Sequence, residues 1–305
     1  MLPPRLSKAD FHLLHVFVTV VEARGFSAAQ IELNVSPSTI SRQISDLETR
    51  LGMRLCHRGR AGFRTTEMGD LVYRAAQRLF ASVREFTESV EGPRGKLTGR
   101  LVLAVIDNWV FNDRSAFATA LRRFVEHAPE ATIEIFALAP DDIELAIQDA
   151  RASLGIGVFH KHRAGLQYTP VGTERIGLYC AAGHPLFECR DPAETDAILR
   201  RSHYVKRAYL REREVAPVSR GMEGTAHAHQ IEGSAHLILT GKYVGYLPEH
   251  FANVWVGAGR MKSVGDGRFD QRSEIKLVRK RGTDLNLVSR AFETLLTDAA
   301  SRGAG

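Results

Sequence analysis

The run Ser36-Pro37-Ser38-Thr39-Ile40-Ser41-Arg42-Gln43-Ile44-Ser45-Asp46-Leu47-Glu48-Thr49-Arg50-Leu51-Gly52 decides how the N-terminal part of this 305-residue chain is read. Ser36 is a helix N-cap residue, and Pro37 suits the first helical position, where its missing N–H costs nothing. Ile40, Ile44, Leu47 and Leu51 recur at steps of four, three and four, one apolar face of a helix that Gly52 is placed to end. The opposite face, near the start, carries Ser38, Thr39, Ser41, Arg42 and Ser45. These are short hydrogen-bonding side chains and one arginine, suited to phosphates and base edges in a major groove.

Upstream, Leu14, Phe17, Val18 and Val21 mark one face of a helix over about residues 10–23, broken by Gly25. Ser27-x-x-Gln30 has the form of a capping box opening a short helix to about Leu33. Downstream, Met53 to Thr65 holds Gly59 and Gly62 between two short extended pieces, flanked by Arg58, Arg60 and Arg64. Helix, short helix, tight turn and longer helix, followed by a basic hairpin, is the arrangement of a winged helix-turn-helix whose last helix enters the groove.

Charge agrees with this reading. The net charge is +6, yet residues 1–100 hold 15 basic and 10 acidic side chains, a balance of +5. Six arginines against two acids lie between Arg42 and Arg64. Clustered arginine suits a polyanion, although charge alone fits a solvated basic face equally well. No run approaches 18 uncharged apolar residues, so no membrane helix is expected. Met1 to Asp10 lacks the apolar core of a secretory signal, and a cytoplasmic location is expected. Three cysteines, Cys56, Cys180 and Cys189, make neither a disulfide framework nor a zinc module.

The segment resembles the LysR-type transcriptional regulators. The resemblance rests on Phe17, Phe26-Ser27-Ala28-Ala29, Leu33, Val35-Ser36, Ile40-Ser41-Arg42-Gln43-Ile44, Leu47-Glu48, Leu51-Gly52-x-x-Leu55, Arg58, Arg64-Thr65-Thr66 and Gly69. Two departures stand out. Pro37 replaces the glutamine usual after the serine, and Cys56 replaces an aromatic of the wing. DNA contacts are expected at Ser27, Ser36, Pro37, Ser38, Thr39, Ser41, Arg42, Gln43, Arg58, Arg60 and Arg64, within a domain spanning residues 1–65.

Thr65 or Thr66 can cap a long helix over residues 66–91. Met68, Val72, Ala75, Leu79, Val83, Phe86 and Val90 form a narrow apolar stripe along it. Such a stripe can pack on its own domain or pair with a second copy. The resemblance favours pairing, with Val72, Ala75, Leu79, Val83 and Phe86 in a homodimer seam. Residues 92–96, Gly-Pro-Arg-Gly-Lys, read as a hinge.

From Leu97 the pattern alternates. Strands are expected at 101–106, 131–138 and 154–159, with helices at 115–127 (Phe117, Leu121, Phe124 and Val125 inward) and from a cap at Asp141 or Asp142 to about Ala150. This is a parallel βαβαβ unit. Strands at 175–181, 204–206, 243–247 and 272–279 follow, with helices at 191–200, 232–240 and 285–300. Leu97-x-Gly99-x-Leu101, Gly183-His184-Pro185-Leu186 and Gly245-Tyr246-Leu247-Pro248 are similar to the family's effector region, which implies two Rossmann-like α/β subdomains of the periplasmic-binding-protein type, about 97–168 with 262–305, and about 169–261.

Little in the chain suggests catalysis. His227-x-His229 has no nearby ligand to complete a metal site, Gly155-Ile156-Gly157 lies inside a strand, and there is no nucleophile elbow or P-loop. Asp141-Asp142 reads as a helix start, not an acid–base pair. No enzyme activity, metal or cofactor is expected. In open α/β sheets ligands sit beyond the carboxyl ends of strands. Those ends supply Asp107, Asn108 and Trp109, then Pro140, His160, Lys206 and Arg207, and the resemblance points to Asn108, Pro140 and Arg207. An organic anion, aromatic in part, would suit Trp109 and the two bases. The reading is a sequence-specific transcriptional regulator controlled by such an effector, dimeric or tetrameric, reading an imperfect palindrome and meeting RNA polymerase. Two rivals are a small-molecule protein whose helices only assemble it, and an architectural DNA protein.

Overall fold

A computed structural model describes residues 7–57, 63–91, 97–107, 109, 112, 115–207 and 223–302. The chain divides into two compact units, Met1–Thr87 with Asp149–Arg151, and Glu88–Gln148 with Ala152–Gly305.

The first unit holds α1 (Lys8–Glu22), α2 (Phe26–Leu33), α3 (Pro37–Leu51), β1 (Cys56–His57), β2 (Arg64–Thr65) and α4 (Glu67–Glu91). α1 starts earlier than its apolar pattern suggests because Ser7 and Asp10 form a capping box. Its buried face is also displaced by one residue from the expected stripe. Leu13, Val16, Phe17 and Val20 face the core with Leu14, whereas Val18 and Val21 are only half-buried. The proposed Ser27 cap is not formed: α2 begins at Phe26 after Gly25, without a side-chain cap bond, and Ser27 is exposed in its first turn. α3 follows its sequence closely. Ser36 Oγ accepts the Thr39 N–H at 3.3 Å, Pro37 opens the helix, Ile40, Ile44 and Leu47 are buried, and Gly52 closes it in the left-handed region at φ 67°.

The second unit is built on a nine-stranded sheet. Its strands are β3 (Gly99–Val105), β4 (Ala131–Ala137), β5 (Leu154–Gly157), β6 (Leu166–Ala181), β7 (His203–Arg207), β8 (Glu223–Ala228), β9 (Tyr243–Pro248), β10 (Met261–Ser263) and β11 (Gln271–Lys280). The order is β4-β3-β5-β11-β6-β9-β7-β8, with β10 against β6. β3 runs parallel to β4 and β5, the expected βαβαβ core. The 175–181 strand proves to be the second half of a 16-residue β6. Residues 166–176 of β6 pair antiparallel with β11, and residues 176–179 pair with β9. β6 and β11 therefore join the two halves of the sheet.

Helices α5 (Ala116–His127), α6 (Pro140–Gln148), α7 (Pro192–Leu199), α8 (Ile231–Leu239), α9 (Glu249–Val256) and α10 (Leu287–Arg302) cover the sheet. α5 and α10 bury Phe117, Phe124, Phe292 and Leu296 over β3 and β5, while Val125, expected inward, is exposed. Asp141 and Asp142 are not caps: α6 starts at Pro140, so both acids lie in the first turn, where the helix dipole favours them. Gly155 explains the glycine-flanked Ile156 of β5. A Cβ there would lie 2.5 Å from Ile143 on α6 and 2.6 Å from Val278 on β11, so the glycine admits the helix to the sheet.

Candidate nucleic-acid interface and effector cleft

The candidate recognition surface begins with a hydroxyl cluster. Ser36 Oγ lies 2.9 Å from both Ser38 Oγ and Thr39 Oγ1, so three of the expected contact residues share one network at the α3 N-terminus. Pro37, Ser38, Arg42 and Ser45 are exposed, and Ser41 is half-buried on the same helix. Gln43 has a partner on α1. Its side-chain amide reaches His12 Nε2 on α1 at 2.9 Å, and its carbonyl oxygen is buried. Asp10 ties the other end of α3 to α1 through Arg50 at 2.8 Å.

The wing hangs from α3 and α4. Glu48 Oε1 accepts the Leu55 N–H at 2.8 Å and the Cys56 N–H at 3.3 Å, which fixes the entry to β1. β1 and β2 pair through Cys56 with Thr65 and His57 with Arg64. Cys56, at the family's aromatic position, is fully buried, and Phe63 stacks edge-on against Phe26 of α2 at 5.8 Å. Arg64 is exposed on β2, while Arg58 and Arg60 lie outside the described residues. Thr66 closes the hairpin: its hydroxyl donates to Arg54 O at 2.7 Å and accepts the Gly69 N–H at 2.9 Å. A Cβ on Gly69 would fall 1.9 Å from Leu55 O, so only glycine lets α4 start beside the wing. Glu48 and Gly69 belong to the family pattern, yet their roles in seating the wing depend on contacts that spacing cannot show.

The stripe on α4 divides in two. Val72 and Leu79 pack with Ala76, Tyr73 and Phe80 against the core of their own unit. Ala75, expected in the same seam, is exposed with Met68, Leu71, Val83 and Phe86, the last at 70%. Of the seam residues read from the sequence, Ala75, Val83 and Phe86 are thus exposed in the single chain, whereas Val72 and Leu79 are engaged in their own core. Tyr73, beside Glu22 Oε1 at 3.3 Å, has its phenol pushed up to about 12, first by burial and then by that carboxylate.

In the second unit the expected cleft residues part company. Asn108 lies outside the described residues. Trp109 is buried in the core, its ring 5.2 Å from Phe117 in an edge-to-face pair, and borders a recess of about 810 Å³ beside α5 and α10. Its apolar surface serves packing. Pro140 opens α6, His160 is exposed beyond β5, and Lys206 is half-buried on β7 opposite His227 of β8. Arg207 ends β7. Asp107, just past β3, accepts the Ile231 N–H at the start of α8 at 2.6 Å. That bond spans 124 residues and joins the β3 half of the sheet to the α8 half. Among the described residues no group of three His, Cys, Asp or Glu side chains converges as a metal site, and no helix is long and apolar enough to cross a membrane.

Comparison with known proteins agrees with both units. Residues 11–70 match the bacterial regulatory helix-turn-helix protein, lysR family, and residues 94–301 match the LysR substrate binding domain. The chain belongs to the LysR family of bacterial transcriptional regulators. It is 37% identical over 289 residues to the HTH-type transcriptional activator BauR of Pseudomonas aeruginosa, covering 94% of each chain. It is similar in fold to CbnR, a LysR family transcriptional regulator, with a TM-score of 0.67 at 19% identity over 95% of this chain and 99% of that one. The full-length CbnR complex with its target DNA gives a TM-score of 0.65, again at 19% identity, over 95% and 99% of the two chains. As a LysR-type protein the chain is a DNA-binding transcriptional regulator with an effector-binding domain.

Proposed function

We propose that this LysR-type regulator reads an imperfect palindrome through two copies of α3. Arg42 makes the base contact, and Ser36, Ser38, Thr39 and Ser41 set the register. The observation that carries this is the exposed arginine one helical turn past a capped, hydroxyl-lined N-terminus. Arginine meets guanine O6 and N7 in a bidentate fashion, while short hydroxyls suit phosphate oxygens. Arg64, with Arg58 and Arg60 of the wing, adds backbone charge. Gln43, held by His12, supports α3 and stays off the DNA.

Two copies meet along α4 through Leu71, Ala75, Val83 and Phe86, whose exposure in one chain leaves a continuous apolar face. The α/β regions then join dimers into a tetramer, and the bound assembly engages RNA polymerase. The effector is a small organic anion held between the two halves of the second unit, where Lys206, with Arg207 beside it in sequence, meets the Asp107 end of β3 and the Pro140 end of α6.

A gel-shift titration on the gene's own upstream region, with unrelated DNA as control, tests the first part. Equal affinity for both sequences would reduce the protein to an architectural binder. Thermal-shift screening of metabolites on wild type and Lys206→Ala tests the second. A ligand that stabilises both proteins equally would move the effector elsewhere.

A further inference from the structure

Most helices of known cap geometry in this chain are capped from next door: Ser7, Ser36, Ser115 and Asp191 each accept an N–H of their own first turn. α8 is different. Its N-cap residue, Gln230, is extended and its side chain makes no cap bond. The first N–H groups of a helix have no partner within it and carry partial positive charge. In α8 that of Ile231 is taken by Asp107 Oδ2, 124 residues away, at 2.6 Å. A carboxylate on a helix N-terminus is a charge-assisted bond, short and directional.

We propose that Asp107 is a built-in anion of the effector cleft. It ties the end of β3 to the first turn of α8 without any ligand, and it denies that helix terminus to an anionic group of the effector. The second half of this statement rests on reading the cleft as the effector site, whereas the tie does not. The consequence for specificity is directional. An anionic effector must place its charge away from the α8 terminus, toward the β7 end near Lys206, because the Ile231 N–H is already taken by Asp107. A group that approaches Asp107 has to be a hydrogen-bond donor.

Chemical rescue tests this in the full-length protein, with sodium acetate as the probe and sodium chloride at equal concentration as control. Hydrogen exchange of the peptide covering residues 228–236 is the readout. Asp107→Ala should speed exchange of the first-turn amides by roughly tenfold, as expected for loss of a hydrogen bond to a charged group. Acetate should restore protection in Asp107→Ala, leave wild type unchanged, and not be replaced by chloride. Asp107→Asn, which keeps an acceptor without the charge, should fall between the two, and it carries the test if the alanine variant does not fold. Adding Gln230→Asp to Asp107→Ala should give α8 a local cap, restoring protection and abolishing the acetate response. Unchanged exchange in Asp107→Ala and Asp107→Asn, or equal protection by acetate of wild type and variant, would overturn the proposal. Because α8 exchange is read without effector, the result is independent of where the effector proves to bind.

Discussion

The two units place their working residues in opposite ways. In the N-terminal unit the surface proposed to face DNA comes from one stretch of sequence, Ser36 to Arg64, and residues of that stretch also build the fold: Ser36 caps α3 while belonging to the hydroxyl cluster, and Glu48 holds the wing. In the second unit the proposed cleft draws on positions near 107, 140, 160, 206 and 231, each at the end of a different element. Function in the first unit is therefore inseparable from local folding. On the proposed reading, function in the second depends on how two halves, joined by β6 and β11, are held together.

The largest effect should come from breaking the first arrangement at Gly69. Gly69→Ala puts a methyl 1.9 Å from Leu55 O, a backbone atom that cannot turn aside. A loss of about 3 kcal/mol, the upper part of the usual overpacking range, is expected in the N-terminal unit. Calorimetry should show its transition falling while that of the second unit stays in place. A single transition shifting as a whole would mean the two units do not unfold separately.

Next in size is the α4 seam. Phe86→Lys puts a charge on an apolar side chain that is 70% exposed in one chain and contacts no core of its own unit in the way Leu79 does. Burying a phenylalanine against a partner contributes about 1.5–3 kcal/mol, so dimer dissociation should strengthen at least tenfold, read by light scattering over a dilution series. Leu79→Lys would instead damage the N-terminal core, which makes Phe86 the discriminating choice.

Arg42→Ala should cost about 1–3 kcal/mol of discrimination between specific and unrelated DNA. Arg64→Ala should weaken both and lower the salt slope by about one. Identical profiles for the two variants would erase the division between α3 and the wing.

This contrast also explains what was legible beforehand. α3 could be read almost to the residue because cap, proline, apolar spacing and terminal glycine all agree. The buried stripe of α1 lies one residue from the expected one because the apolar-rich stretch from Leu13 to Val21, interrupted only by His15 and Thr19, supports two overlapping stripes. Ser27 has the form of a cap because the motif is short, whereas the N-cap position falls two residues earlier, at Gly25. The βαβαβ order was visible from alternation, but the length of β6 was not, since Pro170 and Gly172 interrupt its apolar pattern and only pairing with β11 carries it through. Trp109 and Asp107 lie two residues apart with unlike fates, one packed in the core and the other bonded to the start of α8, and no local signal separates them.

The smallest expected effect separates the units by pH. His184 Nδ1 accepts the Leu186 N–H at 3.1 Å in a buried turn, and burial, then nearby Lys242, lowers its pKa from the ordinary 6.5. Burial lowers His250 in the same direction. The folded form resists a proton that the unfolded chain accepts, so stability of the second unit should fall as pH drops below about 6.5 and keep falling toward the lowered folded values. In the first unit Asp10 is lowered from 3.8, first by the Ser7 hydroxyl and backbone N–H that it accepts and further by Arg50. Its contribution is present above that ordinary value and is lost only as pH falls below it. Between pH 6.5 and 5 the second unit should therefore weaken while the first holds. His184→Asn keeps an acceptor for the Leu186 N–H without a titrating group, and it should make the fall of the second unit's melting temperature shallower in that window while leaving the first unit's unchanged. A wild-type second transition flat from pH 7.5 to 5 would show that neither histidine governs it.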